Sequence, residues 1–274
     1  MRRLQPTLAL AAILGASGPA LAGDSIATYR VDFDAAWSAD NHPLDFPNNP
    51  HFSGLIGGTH HAGVHFWQEG ALASPGIESM AETGSKSALT AEVNAAIGTG
   101  EAEYLLSGPG LGNSPGTVSM TFQVSASHPL ASIVTMIAPS PDWFVGVDSQ
   151  PLALAGVWQD QVVVSLAPYD SGTDSGTSYN SLNQDTQPPE PIYNLSDEYP
   201  FEGTPPLGTF TFTLLSVEGC LADFNTDSSV NTQDVLAFLN SWNADESAAD
   251  INADQTVNTQ DVLAFLNLWT AGCD

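Results

Sequence analysis

The sequence predicts a mainly β protein, an antiparallel β-sandwich followed by a small all-α module. Three observations carry this reading. Short β-branched runs, separated by Gly, Pro, Asn and Asp, recur over residues 25–218. The ten-residue segment NTQDVLAFLN stands at 231–240 and again, unchanged, at 258–267. Helical periodicity is otherwise confined to one internal stretch.

The chain begins with a short apolar segment that does not belong to the fold. Arg2 and Arg3 precede an apolar run over 8–14, and Ala20 and Ala22 mark a small-residue cleavage position. This order reads as a secretory leader over residues 1–22. The run is too short to span a bilayer, and no later segment is apolar enough to do so. The mature chain is expected to be secreted or held at the cell surface.

Residues 23–219 are expected to form the first domain. The strand candidates are 26–33, 117–124, 132–137, 162–166 and 209–215, an arrangement typical of a sandwich. Residues 76–97 are rich in Ala, Glu and Met at helical spacing and predict one helix inserted between strands. Residues 171–208 are polar and Pro-rich, a long connection of the kind that is functional or mobile.

Charge narrows the function classes. Four basic residues face 31 acidic ones, for a net charge of −27. Once the leader is gone, Arg30 and Lys86 are the remaining cations. Such a surface repels nucleic acid and anionic membranes. It suits bound cations or a salty, calcium-containing medium, and a solvated acidic face kept for solubility is the competing explanation.

Each copy of the repeat follows an acidic loop, and the two loops are in register. Positions 1, 3, 5, 7, 9 and 12 of the first, 223–234, hold Asp223, Asn225, Asp227, Ser229, Asn231 and Asp234. The second, 250–261, holds Asp250, Asn252, Asp254, Thr256, Asn258 and Asp261. These are the alternating oxygen donors of an EF-hand-like calcium loop, in which position 7 supplies a carbonyl and position 12 a carboxylate. Asn231 reads as a helix N-cap, with Asp234 in the first turn where the dipole favours negative charge. Val235, Leu236, Phe238, Leu239 and Trp242, and their counterparts from Val262 to Trp269, predict an apolar stripe by which two helices pack together.

The stretch from Leu221 to Trp269 resembles a type I dockerin. The resemblance implies calcium at both loops and docking to a cohesin-like scaffold protein. Ser228 and Gln255 stand where such loops commonly have Gly, a departure expected to cost about 1 kcal/mol each if a left-handed conformation is kept. Cys220 and Cys273 lie just outside the repeats, and in an exported protein they are expected to form a disulfide that closes the module 220–274. A loop of that length gains roughly 4 kcal/mol in the chain-entropy model.

Two further acidic clusters lie in the first domain. Asp142 falls in APSPDWFVG at 138–146, before an apolar strand, and Asp170 and Asp174 flank Gly172 in DSGTDSG at 170–176. A turn at Gly172 brings Asp170 and Asp174 together, and all three acids converge if that loop lies beside Asp142. Ordinary turn formation is the competing explanation. These segments, with PHFSGLIGGTH at 50–60 and AETG at 81–84, resemble the spondin N-terminal domain of F-spondin and mindin. That resemblance implies a C2-like β-sandwich, a calcium ion held by Asp142, Asp170 and Asp174, and a role in matrix adhesion without catalysis. About three Ca2+ per chain are then expected.

The rival readings are weaker. A zinc site needs three or four ligands and an ordered second shell, and no HExxH or Cys-rich pattern accompanies His60, His61 and His65. A glycosidase needs two carboxyls across a cleft, and candidates such as Glu69 and Glu78 cannot be placed by sequence. No nucleophile-elbow or nucleotide motif occurs. A carbohydrate-binding accessory of a polysaccharide-degrading system is the stronger alternative, with Trp143 and Trp158 as stacking candidates unless they are core. The chain is expected to be a non-enzymatic adhesion or display protein, with a matrix or glycan ligand for the first domain.

Overall fold

The computed structural model describes residues 25–154, 157–218, 221–225, 230–252, 254 and 256–271. The expected leader, both cysteines, and Asp227, Ser228, Ser229 and Gln255 lie outside the described residues.

In chain order the strands are β1 (Ile26–Ala35), β2 (His51–Phe52), β3 (Ile56–His60), β4 (Ala102–Ser107), β5 (Gly116–Ser125), β6 (Leu130–Ala138) and β7 (Trp143–Pro151). They continue with β8 (Ala153–Leu154), β9 (Val157–Trp158), β10 (Gln161–Leu166), β11 (Pro168–Asp170), β12 (Tyr193–Asn194) and β13 (Gly208–Glu218). Helices α1 (Pro75–Thr83) and α2 (Ser87–Thr99) separate β3 from β4, and α3 (Thr232–Asn243) and α4 (Thr259–Ala271) lie at the C-terminal end.

Two antiparallel sheets dominate. One has the order β10-β13-β1-β5; the other runs β12-β11-β7-β6-β3-β4, with β2 paired to β6. Strand β1 shows why its residues form a half-buried strand. Ala27, Tyr29, Val31 and Phe33 are fully buried, while Thr28, Arg30, Asp32 and Asp34 alternate with them on the other face. Strand β6 is buried almost throughout because both of its faces are covered. Ala131, Ile133 and Ile137 join the cluster shared with the first sheet, whereas Val134, Met136 and Ala138 join one with α1 and α2. Period-two alternation therefore sorts one apolar run into two cores.

The single helix expected over 76–97 is two helices. Gly84 ends α1 at φ 70°, a left-handed cap whose N–H bonds to Met80. Ser74 caps the start of α1, and Glu92 of α2 accepts from the Ser74 hydroxyl at 2.6 Å and the Gly76 N–H at 2.7 Å. The five expected strands are present, each slightly longer than expected or shifted at an end. The long connection from 171 to 207 is packed, with Tyr179, Leu195 and Phe201 in the main core.

Trp143 and Trp158 are both buried, which removes them as sugar-stacking platforms. In the C-terminal module Phe238 and Phe265 stack at 4.2 Å between ring centroids, and Phe224 meets both edge-on. The apolar stripe is narrower than expected. Leu236, Leu239, Leu263 and Leu266 are exposed, while Val235, Phe238 and Trp242 pack inward with their counterparts in α4. One partner helix covers a single face, and the leucines lie to its side.

Candidate metal centre

The loop after β11 folds around one carboxylate. Strand β11 pairs with β7 so that Asp170 lies opposite Trp143, which places the following loop beside Asp142. Asp142 is fully buried, and its Oδ2 accepts from the Ser171 hydroxyl at 2.9 Å, the Thr173 N–H at 2.8 Å and the Asp174 N–H at 3.0 Å. The side chain of one segment thus caps the backbone turn of another.

The two flanking acids act as turn acceptors as well. Asp170 Oδ1 accepts from the Gly172 N–H at 2.7 Å, and its Oδ2 accepts from the Trp143 indole at 3.0 Å and the Tyr193 hydroxyl at 3.3 Å. Asp174 accepts from Gly176 at 2.7 Å through Oδ1 and from Gln184 at 2.9 Å through Oδ2. Gly172 adopts φ 75°, and a β-carbon there would stand 2.1 Å from the Glu190 carbonyl oxygen. Only glycine fits this turn.

The electrostatics are those of crowded acids in a dry site. Burial raises Asp142 above the usual carboxylate range, although the loop N–H groups and hydroxyls oppose the rise. Burial and the charge of Asp142 push Asp170 up to about 7. A cavity of about 190 Å³ opens against Asp170, Asp174, Glu190 and Tyr193.

Asp142 Oδ1 is buried without a hydrogen-bond partner. A buried acceptor left unsatisfied is costly and calls for an explanation. The side chains of Asp142, Asp170, Asp174, Ser171 and Thr173 that this loop gathers carry oxygen donors, the chemistry that a hard divalent cation such as calcium takes. Asp142 and its two neighbours therefore fit such an ion by donor type. They are not gathered into a finished cage: among the described residues no three His, Cys, Asp or Glu side chains form a group that could hold a metal. Asp174 has both oxygens engaged by backbone amides.

The C-terminal loops repeat one hydrogen-bond pattern. Asp234 is fully buried and accepts from Asn225 at 3.1 Å and Asn231 at 2.8 Å; Asp261, equally buried, accepts from Asn252 at 3.2 Å and Asn258 at 2.7 Å. Asn231 caps α3 by accepting from the Gln233 N–H at 2.8 Å, and Asn258 accepts from Gln260 at 2.7 Å. Asp254 accepts from the Thr256 N–H at 2.9 Å, while its own N–H donates to Asp250 and Asn252. Position 12 of each loop thus ties positions 3 and 9 together.

The histidines form no metal group among the described residues. His60 is buried between the His61 carbonyl and the Ser132 hydroxyl, and His65 pairs with Asp148 at 3.0 Å. Sequence reasoning passed over Tyr193 and the hydroxyls of Ser171 and Thr173. Their pairing with distant acids has no local signature.

Residues 27–207 match the Spondin_N family. Over 204 residues the chain is 36% identical to Spondin-2 of Homo sapiens, an alignment covering 70% of this chain and 61% of that protein. Spondin-2 of Rattus norvegicus is 32% identical over 228 residues, with 75% and 69% covered. Spondin-1 of Mus musculus is 35% identical over 178 residues, covering 62% of this chain and 22% of the relative.

Proposed function

The chain belongs to the Spondin_N family, and from that premise we propose a secreted, calcium-binding adhesion or display protein without catalytic activity. Its first domain is read as a C2-like sandwich that contacts a matrix or surface ligand. Asp142, Asp170 and Asp174 would hold one Ca2+ there, and each C-terminal loop would hold another. The observation that carries the calcium reading is the buried, unpartnered Asp142 Oδ1 amid oxygen donors. Among the described residues no helix is long and apolar enough to cross a membrane.

Residues 220–274 are read as a dockerin-like module that attaches the protein to a cohesin-like scaffold. The in-register pattern at Asp234 and Asp261 supports this, as do the paired exposed leucines on α3 and α4. Equilibrium dialysis of the purified chain tests the reading. About three Ca2+ should be retained, and Asp142→Asn should remove one. Retention of none, with spectra indifferent to chelator, would exclude it. Calcium-dependent capture of a scaffold domain tests the docking role.

A second reading, a glycan-binding accessory, is favoured by one groove. It encloses about 400 Å³ and is lined by Trp67, Glu69, Asp148, Gln150 and Tyr169, among others. A blank result on a broad glycan panel would remove it.

A further inference from the structure

We infer that the open edge of β7 takes an extended, basic polypeptide segment as an added strand, seated in the groove between β7 and β10. The inference rests on the adhesion reading of the first domain and gives its ligand a chemistry.

The groove exists because the chain changes sheets. Strand β10 pairs with β13 in the first sheet, and β11, which begins after Ala167, pairs with β7 in the second. The β11 register covers only Trp143, Phe144 and Val145 of β7, whereas β6 pairs with β7 as far as Pro151 on the other side. Among the described residues no strand pairs with β7 beyond Val145 on the β11 side. Strand β10 is itself the edge of its sheet. Gly146 and Val147 of β7 and Val164 and Ser165 of β10 line the gap of about 400 Å³ between the two edges.

The ladder identifies the backbone groups left over. The Asp142 carbonyl accepts the Ser171 N–H across the β7–β11 seam. By alternation the N–H and C=O of Phe144 and Gly146 face the same side. Phe144 lies opposite Tyr169, but Gly146 lies past the end of the register. It has no side chain to cover its peptide groups, and a glycine within a strand is where another backbone comes close.

Charge selects the occupant. Glu69 and Asp148 are the charged residues of the lining, and it holds no cation. Glu69 is exposed, and Asp148 is held by His65 at 3.0 Å and by the Ser149 hydroxyl at 2.8 Å. Arg30 pairs with Asp32 and Lys86 bonds to Ser107 and Gly108, so the positive charge comes from a partner. An extended segment shows alternate side chains to one face. Basic residues at those positions meet the acids while the backbone pairs with Gly146. Tyr169 adds a half-buried ring beside which a Lys or Arg stem packs. A sugar fits less well. Trp67, set against Tyr169 at 4.9 Å between ring centroids, is only 6% exposed and presents no face for a pyranose ring.

The test is fluorescence anisotropy of a labelled Lys-Thr-Lys-Thr-Lys-Thr peptide with the full secreted chain at physiological salt. Saturable binding is expected, and the analogue with Glu for Lys should not bind. Glu69→Gln combined with Asp148→Asn should weaken binding about tenfold. Asp40→Asn combined with Glu202→Gln removes two exposed acids outside the groove and should change nothing, which separates the groove from the general acidity of the chain. Methylating the Lys amides or the Thr amides blocks opposite edges of the ligand strand, so one analogue should bind and the other should not. Equal losses in the two acid-pair variants, or equal behaviour of the two methylated analogues, would overturn the inference. Should the groove variant melt early because Asp148 also holds His65, Glu69→Gln alone carries the test, with a loss of about threefold. Cellohexaose binding that the groove variant loses, with the peptide silent, would assign the groove to a sugar instead. A silent peptide beside intact wild-type adhesion to a surface coated with basement-membrane extract would overturn the groove and leave the adhesion reading standing. Absence of that adhesion as well would overturn both.

Discussion

The indole Nε1 of Trp269 donates to the backbone carbonyl of Asn231, 2.9 Å away. The reciprocal bond, Trp242 Nε1 to the Asn258 carbonyl, measures 2.7 Å. Each C-terminal helix thereby holds the N-cap residue of the other loop, so the two loops are physically coupled. Trp269→Phe keeps an aromatic ring, smaller than the indole, and removes the bond. It should cost about 1 kcal/mol of stability, seen as a lower urea midpoint. Under the calcium reading it should also weaken binding at the first loop, although Trp269 lies after the second.

Asp142→Ala leaves the Thr173 and Asp174 N–H groups and the Ser171 hydroxyl without their acceptor. A loss of about 3 kcal/mol is expected, measured by denaturant unfolding in chelator. If stability is unchanged, the carboxylate does not organise this loop.

Asp170 gives the pH dependence of the ion-free chain. Its folded-state value is raised to about 7, against about 3.9 for an unfolded Asp. Between those values the folded chain holds a proton that the unfolded chain has lost, so folding stability falls as pH rises from about 4 to about 7. Asp170→Asn should lack that component. Urea midpoints of the two metal-free proteins across this range measure the difference, and parallel curves would refute it.

Gly172→Ala forces a β-carbon against the Glu190 carbonyl and a non-glycine residue into φ 75°. The expected cost is about 2–4 kcal/mol, read from thermal or urea unfolding. The C-terminal loops are remote in sequence, so under the calcium reading any uptake there should be retained.

The exposed leucines separate folding from docking. Leu236→Asp combined with Leu263→Asp alters side chains that are 61% and 63% exposed. Melting should stay nearly unchanged, within about 0.5 kcal/mol per site, while capture by a scaffold partner should be lost. Unchanged capture would remove this face from the docking reading.

Much of the fold was legible because local pattern and burial agree. The alternation of β1, from Ala27 to Ala35, states which face is inside, and the duplicated loops state where α3 starts, at the Asn231 cap. The break at Gly84 was present in the sequence, but helical composition on both sides masked it. The leucine stripe misled because periodicity marks apolar residues without saying how many neighbours will cover them.

The amino-acid order alone marked five of the strands, the duplicated loop–helix units and the acids around Gly172. Each is signalled by residues close in the chain, where spacing dictates local geometry. The tertiary structure decided that Asp142 caps a turn some thirty residues later and that Trp143 is buried with its indole on Asp170. Those relationships arise where β7 and β11 pair, and long-range pairing of this kind leaves no period in the sequence.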